Sequence, residues 1–385
     1  MPSKINVLQV IPKLGYGGAE IGCFDLAHYL NENGCRSFVA TSGGALTKYI
    51  NNKKVKLIRL PVHSKNPILI LINAIILTFI ILFFNINIVH ARSRAPAWSC
   101  LIATKITRRK FVTTFHGTYN FKSKIKKFYN SVMLRSNLTI AGSNFIFSHI
   151  NNNYPDYLND DKKFLVIFRG INTEYYNSEK IKTSDKDKLI KKWNLDKFQR
   201  KIILMPGRLT EWKGQEMFIE SLNLLKKNEP HKQFMAIILG SEQGRDIYKK
   251  KLTRLVEQYR LNKEIIFVDN FEIMPIAYEI SDIVVSASIE PEAFGRVAIE
   301  AQSMGKPIIA SNIGGSRETI KDETTGFLFN AGDIKSLSEK LSHIFDLDRN
   351  TLKLMGNAGR ENVIKKFNVE KMCFSTYSEY KKLLN

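Results

Sequence analysis

Short apolar runs alternate with stretches of helical pattern along almost the whole chain, and this alternation limits the fold more than any other feature. It is the pattern of a parallel sheet whose strands are joined by helices. The first half offers strands at Ile5–Val10, Ser37–Thr41, Leu57–Leu60, Ile86–His90, Phe111–Phe115, Leu138–Ala141 and Leu165–Phe168. A helix over about Ala19–Asn33 stops at Gly34, and Ser143 suits the N-cap of the helix after the sixth strand. Asn177–Lys192 is polar, Lys-rich and free of strand signal, so it reads as a linker with a short helix. The pattern restarts at Ile202–Met205, Phe234–Leu239, Ile265–Val268, Ile283–Ser286, Pro307–Ala310 and Phe327–Phe329. The C-terminal end beyond that reads as helix.

At roughly 100–200 residues per domain, 385 residues point to two domains. The expected fold class is α/β: two tandem Rossmann-like, doubly wound domains, 1–175 and 190–365. A C-terminal helix at about 366–385 is available to pack back on the first. Ligands of such sheets bind beyond the carboxyl ends of the strands, and two such edges facing each other make a cleft.

The net charge of +22 is unevenly placed: residues 1–170 hold 23 Lys and Arg against 6 Asp and Glu. A one-sided positive field suits an anionic partner, such as phospholipid head groups, a phosphorylated glycan or nucleic acid. A merely solubilising surface is the alternative. Nucleic acid is disfavoured, because the basic runs lack an aromatic stacking platform or a reading motif. Cys23, Cys35, Cys100 and Cys373 fall at no metal-ligand spacing, which fits a reducing cytoplasm. Met1-Pro2-Ser3-Lys4 shows no signal-peptide pattern.

One segment disturbs the soluble picture. Ile68–Phe84 is apolar except for Asn73 and Thr78, but a spanning helix takes about 20 residues. A buried strand follows at once, so the segment reads as a crossover helix that also suits a membrane surface. A cationic helix start, Phe121–Tyr129, mixes Lys122, Lys124, Lys126 and Lys127 with apolar anchors. These features predict peripheral attachment to an anionic membrane.

Four strand exits carry candidate chemistry. Glu290–Pro307 follows the strand Ile283–Ser286; Gly295 opens a helix there and Gly305 closes it. That helix N-terminus is a seat for phosphate, with Glu292 at its mouth. Glu300 lies eight residues on among apolar neighbours, where it meets either a ribose diol or Arg296 one helical turn away. Gly207–Gly214 follows Ile202–Met205 and carries Arg208 and Lys213, a fork and a point charge suited to a diphosphate. Gly15–Glu20 opens the first helix, where glycines permit close approach to a phosphate or sugar, although any strand–helix turn uses glycines. His116 ends the fifth strand and can donate to a sugar hydroxyl, or serve the core. His90, Arg92 and Arg94 form a basic cluster suited to an anionic acceptor, or a solvated loop.

Taken in order, Gly-Gly near the N-terminus, His-Gly, Gly-Arg-Leu-x-x-x-Lys-Gly and Glu-x-Phe-Gly with a second Glu resemble the family 4 retaining glycosyltransferases. The resemblance spans essentially the whole chain and implies the GT-B arrangement of two Rossmann-like domains. It implies that the first domain binds acceptor and the second the nucleotide-sugar. Arg208 and Lys213 would then bind the donor diphosphate, Glu292 would lie by the donor sugar and Glu300 would bind the ribose. His116 would line the sugar site, Gly17 and Gly18 would close on the phosphates, and Phe294 and Gly295 would border the nucleotide. The catalytic set so implied is His116, Glu292, Arg208 and Lys213. One departure is Phe168-Arg169-Gly170-Ile171-Asn172, where the family often has Pro-Asn-Gly-Val-Asp; it adds a cation. His90–Ser99 is similar to a stretch in alphaproteobacterial relatives, which points to a bacterial envelope glycan.

The expectation is a retaining, metal-independent hexosyl transfer from a UDP-, GDP- or ADP-sugar to a lipid-linked or envelope saccharide, of lipopolysaccharide or capsule type. No cofactor beyond the donor is expected. The place of action would be the cytoplasmic face of the inner membrane. Rivals are a nucleotide-sugar epimerase on the same fold, a basic nucleic-acid-binding protein and a catalytically dead scaffold.

Overall fold

The computed structural model describes residues 4–158, 163–195, 200–242, 244, 246–269 and 271–385. Among them the apolar runs form thirteen strands. The first sheet holds β1 (Asn6–Ile11), β2 (Arg36–Thr41), β3 (Val55–Arg59), β4 (Ile88–Ala91), β5 (Lys110–Phe115), β6 (Leu138–Ala141) and β7 (Lys163–Val166). The second holds β8 (Lys201–Pro206), β9 (Phe234–Leu239), β10 (Ile265–Val268), β11 (Ile283–Ser286), β12 (Ile308–Ser311) and β13 (Phe327–Phe329). Every pairing is parallel. The orders are β3-β2-β1-β4-β5-β6-β7 and β10-β9-β8-β11-β12-β13. Both are doubly wound, and each reverses direction once, between β1 and β4 and between β8 and β11. At such a switch point adjacent loops leave toward opposite faces, and a crevice opens beyond the carboxyl ends.

β7 begins two residues before the expected strand Leu165–Phe168. Its pairing with β6 runs from Leu138 opposite Lys163 to Ala141 opposite Val166. The neighbour's register decides, so Lys163 joins the ladder and Phe168 leaves it.

The chain divides into two compact units. The first runs to Gly170 and takes back Val369–Asn385; the second is Ile171–Asn368. Asn177–Lys192, expected as a linker, belongs to the second unit instead. It carries a 3₁₀ turn, Ser178–Lys180, and a helix, Thr183–Lys192. Ser178 donates to Glu279, Lys186 pairs with the same carboxylate, and Leu189 is buried. Its lysines hide an amphipathic helix.

Helix Pro67–Phe83 is the crossover from β3 to β4, started by Pro67 and capped by Asn66, whose Oδ1 accepts from the Ile68 amide. It buries Asn73, Ala74, Leu77 and Ile81 and packs on helix Arg94–Thr107. Its other face leaves Ile68, Leu71, Ile75, Phe79, Leu82 and Phe83 exposed, Phe83 by 82 %. Among the described residues no helix is long and apolar enough to cross a membrane.

Helix Val369–Leu384 packs against helix Gly18–Glu32 in the first unit. Its Tyr380 is fully buried and shares a hydrogen bond with His90 Nδ1, while His90 Nε2 meets Thr114 Oγ1 at 2.7 Å. Burial, reinforced by the charge of Arg92, holds His90 well below the ordinary histidine range, so it is neutral. Tyr380→Phe should orphan one buried ring nitrogen and lower stability by about 1–3 kcal/mol. The urea midpoint should fall with an unchanged m-value; an unmoved midpoint rejects this tie.

Candidate active site

In the second unit the switch point joins the exits of β8 and β11. Lys213 lies in a 3₁₀ turn, Glu211–Lys213, after β8, and Glu292 lies in the loop after β11. The Ile289 amide donates to the Trp212 carbonyl at 2.8 Å and ties the two loops together. Lys213 Nζ donates to Glu292 Oε1 at 2.7 Å, and both side chains are nearly buried. Ser288 donates to the same oxygen at 2.6 Å, and Ser286 approaches it at 3.4 Å. Burial alone would raise the Glu292 pKa; the Lys213 charge and these donors outweigh it, so the group sits below the ordinary range. Glu292 is therefore a carboxylate and accepts only. Lys213 also stands 4.5 Å over the Trp212 ring. Arg208 is exposed at the same edge.

Gly295 takes φ of +79°, the left-handed region, and starts helix Arg296–Ser303. No side chain caps that helix and its first turn holds no acid, so its leading amides keep their positive end. Phe294 is buried against Phe367.

Glu300 is also buried and already engaged. Arg296 Nε donates to its Oε1 at 2.5 Å and Tyr278 Oη to its Oε2 at 2.7 Å. The salt bridge that competed with a ribose role is thus present. A carboxylate has about four lone-pair sites, so capacity for further donors remains.

In the first unit, Gly17 precedes helix Gly18–Glu32 without a side-chain cap, and the Glu20 carboxylate lies over it. His116 follows β5, and its Nδ1 lies 3.0 Å from Arg169 Nη1. Arg169 leaves β7 and passes beside Gly18 and Gly142. The expected basic cluster is not a solvated loop, because its members are bonded within the fold. His90 is inside β4, and Arg92 is buried with donations to Gln9 Oε1 and the Gly22 carbonyl. Arg94 donates to Asn130 and covers the Tyr119 ring. Arg92 is thus buried, whereas Arg94 stays half-buried.

Residues 185–362 match the family described as glycosyl transferases group 1, and residues 16–175 match glycosyltransferase family 4. A glycosyltransferase from Rickettsia africae is 38 % identical, over 100 % of this chain and 99 % of that one, with a TM-score of 0.91. The chain belongs to the group 1, family 4 glycosyltransferases. An Anabaena protein, HepE, solved with UDP-glucose, shares the fold of this transferase at a TM-score of 0.81 and 21 % identity, over 99 % of each chain. A lipopolysaccharide core mannosyltransferase of Rhizobium meliloti is 27 % identical to it over 57 % of this chain and 61 % of its own length.

Sequence reasoning missed several members of this cluster. Ser286 and Ser288 flank the exit of β11, a position where small polar residues signal a ligand edge. Gly315 donates its amide to the Glu292 carbonyl at 2.8 Å, and its α-carbon lies against the Phe294 backbone. It too follows a strand, β12, and that was its available signal. Tyr278 carried none.

Removing one partner of a largely buried ion pair strands the other charge. Lys213→Ala should cost on the order of 3 kcal/mol in stability, and Lys213→Met with Glu292→Leu should recover part of it. Because the folded Glu292 pKa is depressed, its contribution is complete above its ordinary value of 4.5 and fades as pH falls through the folded value. Urea titrations of the single and double variants at pH 7 check this; additive losses would dismiss the coupling.

Proposed function

We propose that this glycosyltransferase moves a sugar from a nucleoside-diphosphate sugar to a saccharide acceptor, with retention at the anomeric carbon and without a metal. The observation that carries the reading is the switch-point cluster of the second unit. It offers an exposed fork, Arg208, and an uncapped helix start at Gly295, both suited to a leaving diphosphate. Much of the barrier reduction then comes from cations of the chain placed where negative charge develops. Lys213 is already paired with Glu292, so Arg208 carries the larger share. Glu292, held as a carboxylate with one oxygen saturated by three donors, presents its other oxygen to sugar hydroxyls. Glu300 has room to accept from a ribose hydroxyl. The HepE complex with UDP-glucose supports a uridine diphosphate donor.

A thermal-shift series with UDP, GDP and ADP tests the donor, since a ligand stabilises according to its affinity and concentration. One of the three, UDP first, should raise Tm at millimolar concentration; no response to any would sink the reading. Arg208→Ala should lower kcat about thirty- to a thousandfold, the equivalent of roughly 2–4 kcal/mol, with the fold intact. Near-normal turnover would remove Arg208 from the site.

The acceptor is proposed to be a lipid-linked or envelope saccharide, met at the cytoplasmic face of a bacterial inner membrane. The Rhizobium relative, a lipopolysaccharide core mannosyltransferase by name, supports this. So does the apolar stripe on helix Pro67–Phe83. Trp98 and Ser99, on the helix beside it, link the stripe to Lys124–Asn130: Ser99 donates to Ile70, and Trp98 to Tyr129. There Lys122, Lys124 and Lys126 are exposed with Ile125; Lys127, counted as a fourth anchor, is instead paired with Asp156. Residues 33–155 hold 18 Lys and Arg and no Asp or Glu, so a second copy would bring like charge to like. An anionic bilayer matches both features. Liposome flotation should show binding to anionic vesicles at low salt, loss at high salt and release by Lys122→Gln, Lys124→Gln and Lys126→Gln together. Failure of wild type to float with anionic vesicles at low salt would end this proposal.

A further inference from the structure

Arg169 replaces an uncharged residue of the usual family pattern at this loop, and its surroundings are built for it. Its Cγ and Cδ pass so close to Gly142 that a Cβ there would stand 3.2–3.3 Å away. Its Nη2 lies where a Cβ on Gly18 would stand 3.1 Å away. Both distances are tighter than side-chain contacts normally allow. Gly18, a residue the family resemblance assigns to phosphate, thus also makes room for a guanidinium.

The guanidinium ends at His116. A guanidinium has five N–H donors and no acceptor. Its Nη1 stands 3.0 Å from His116 Nδ1, so Nδ1 must supply the lone pair. A neutral imidazole has one proton for its two nitrogens, and that proton is then on Nε2. Protonating the ring would place N–H against N–H. His116 Nε2 is shielded from solvent and has no acceptor among the described residues.

We propose that Arg169 is a positioning residue that holds His116 in the Nε2–H tautomer, so that the imidazole meets the sugar as a hydrogen-bond donor and never as a base. This rests on the glycosyl-transfer reading for its use, but not for its geometry. A donor fixed in advance has no tautomer to exchange when a hydroxyl arrives. The groups around the ring agree. Burial first, then the charges of Arg169 and Arg92 and the neighbouring His90, hold His116 well below the ordinary histidine range. Tyr119 faces the His116 backbone, and among the described residues the ring's hydrogen-bond partner is Arg169 alone.

Long-range proton–nitrogen spectra of the full-length, ¹⁵N-labelled protein read each imidazole directly, with His116 assigned by its loss in His116→Asn. In wild type, His116 should show a bare Nδ1 and a protonated Nε2, unchanged from pH 8 to pH 6. Arg169→Met should mix the tautomers and bring the ring's titration up toward the ordinary range. It should lower kcat roughly ten- to a hundredfold while the donor KM moves less. Arg169→Lys, still a pure donor, should keep the tautomer and restore part of the rate. A wild-type proton on Nδ1, or an Arg169→Met spectrum identical to wild type, overturns the proposal. Should Arg169→Met not fold, the wild-type and Arg169→Lys spectra still decide. The expected tautomer in a protein that transfers no sugar would count against the functional reading alone.

Discussion

A parallel strand can be joined to its neighbour only by a crossover that carries the chain back to the edge where it started. Every strand in both sheets obeys this, and the rest of the molecule follows from it. The crossovers are helices, they cover both faces, and the strands therefore read as continuous apolar runs. All strand exits collect at one edge of each sheet. Arg208, Lys213, Glu292 and Gly295 share an edge because β8 and β11 are parallel neighbours at the point where the winding reverses. His116 and Arg169 share the other because β5 and β7 run parallel in one sheet, with β6 between them.

Charges at these edges are treated in three ways. Lys213 and Glu292 cancel each other in a nearly dry contact, where truncating either is far costlier than replacing both. Arg92 is buried without a carboxylate and satisfied by a side-chain amide and a carbonyl. Arg208 stays exposed. Only the last keeps its full field for a ligand. Count of cations in the sequence is therefore a poor guide to the potential a substrate meets.

The strands, the switch-point loops and the helix starts were legible because period, Gly and Pro are local signals. What was hidden depends on partners far along the chain. Lys213 and Glu292 are 79 residues apart, and no local rule joins them. The Arg296–Glu300 bridge was visible, since four residues bring both onto one helix face, but Tyr278 as its second donor was not. The basic stretch His90–Arg94 looked wet because its residue types are polar; the β4 register puts its first member in the core. The lysines of Thr183–Lys192 concealed a packed helix for the same reason: residue type reports solubility, whereas burial is set by geometry.

The return of Val369–Leu384 to the first unit makes the second unit an insertion between the first unit's last strand and its last helix. The chain leaves and re-enters at one place, where the Ile171 amide bonds the Phe367 carbonyl at 2.9 Å. The whole second unit is therefore made before the helix that completes the first. Until that helix arrives, Leu26, Leu30 and the ring of His90 have no cover on that side. The domain begun first thus waits longest for its last piece, and its apolar face around Leu26 and Leu30 is the one left open to chaperones meanwhile.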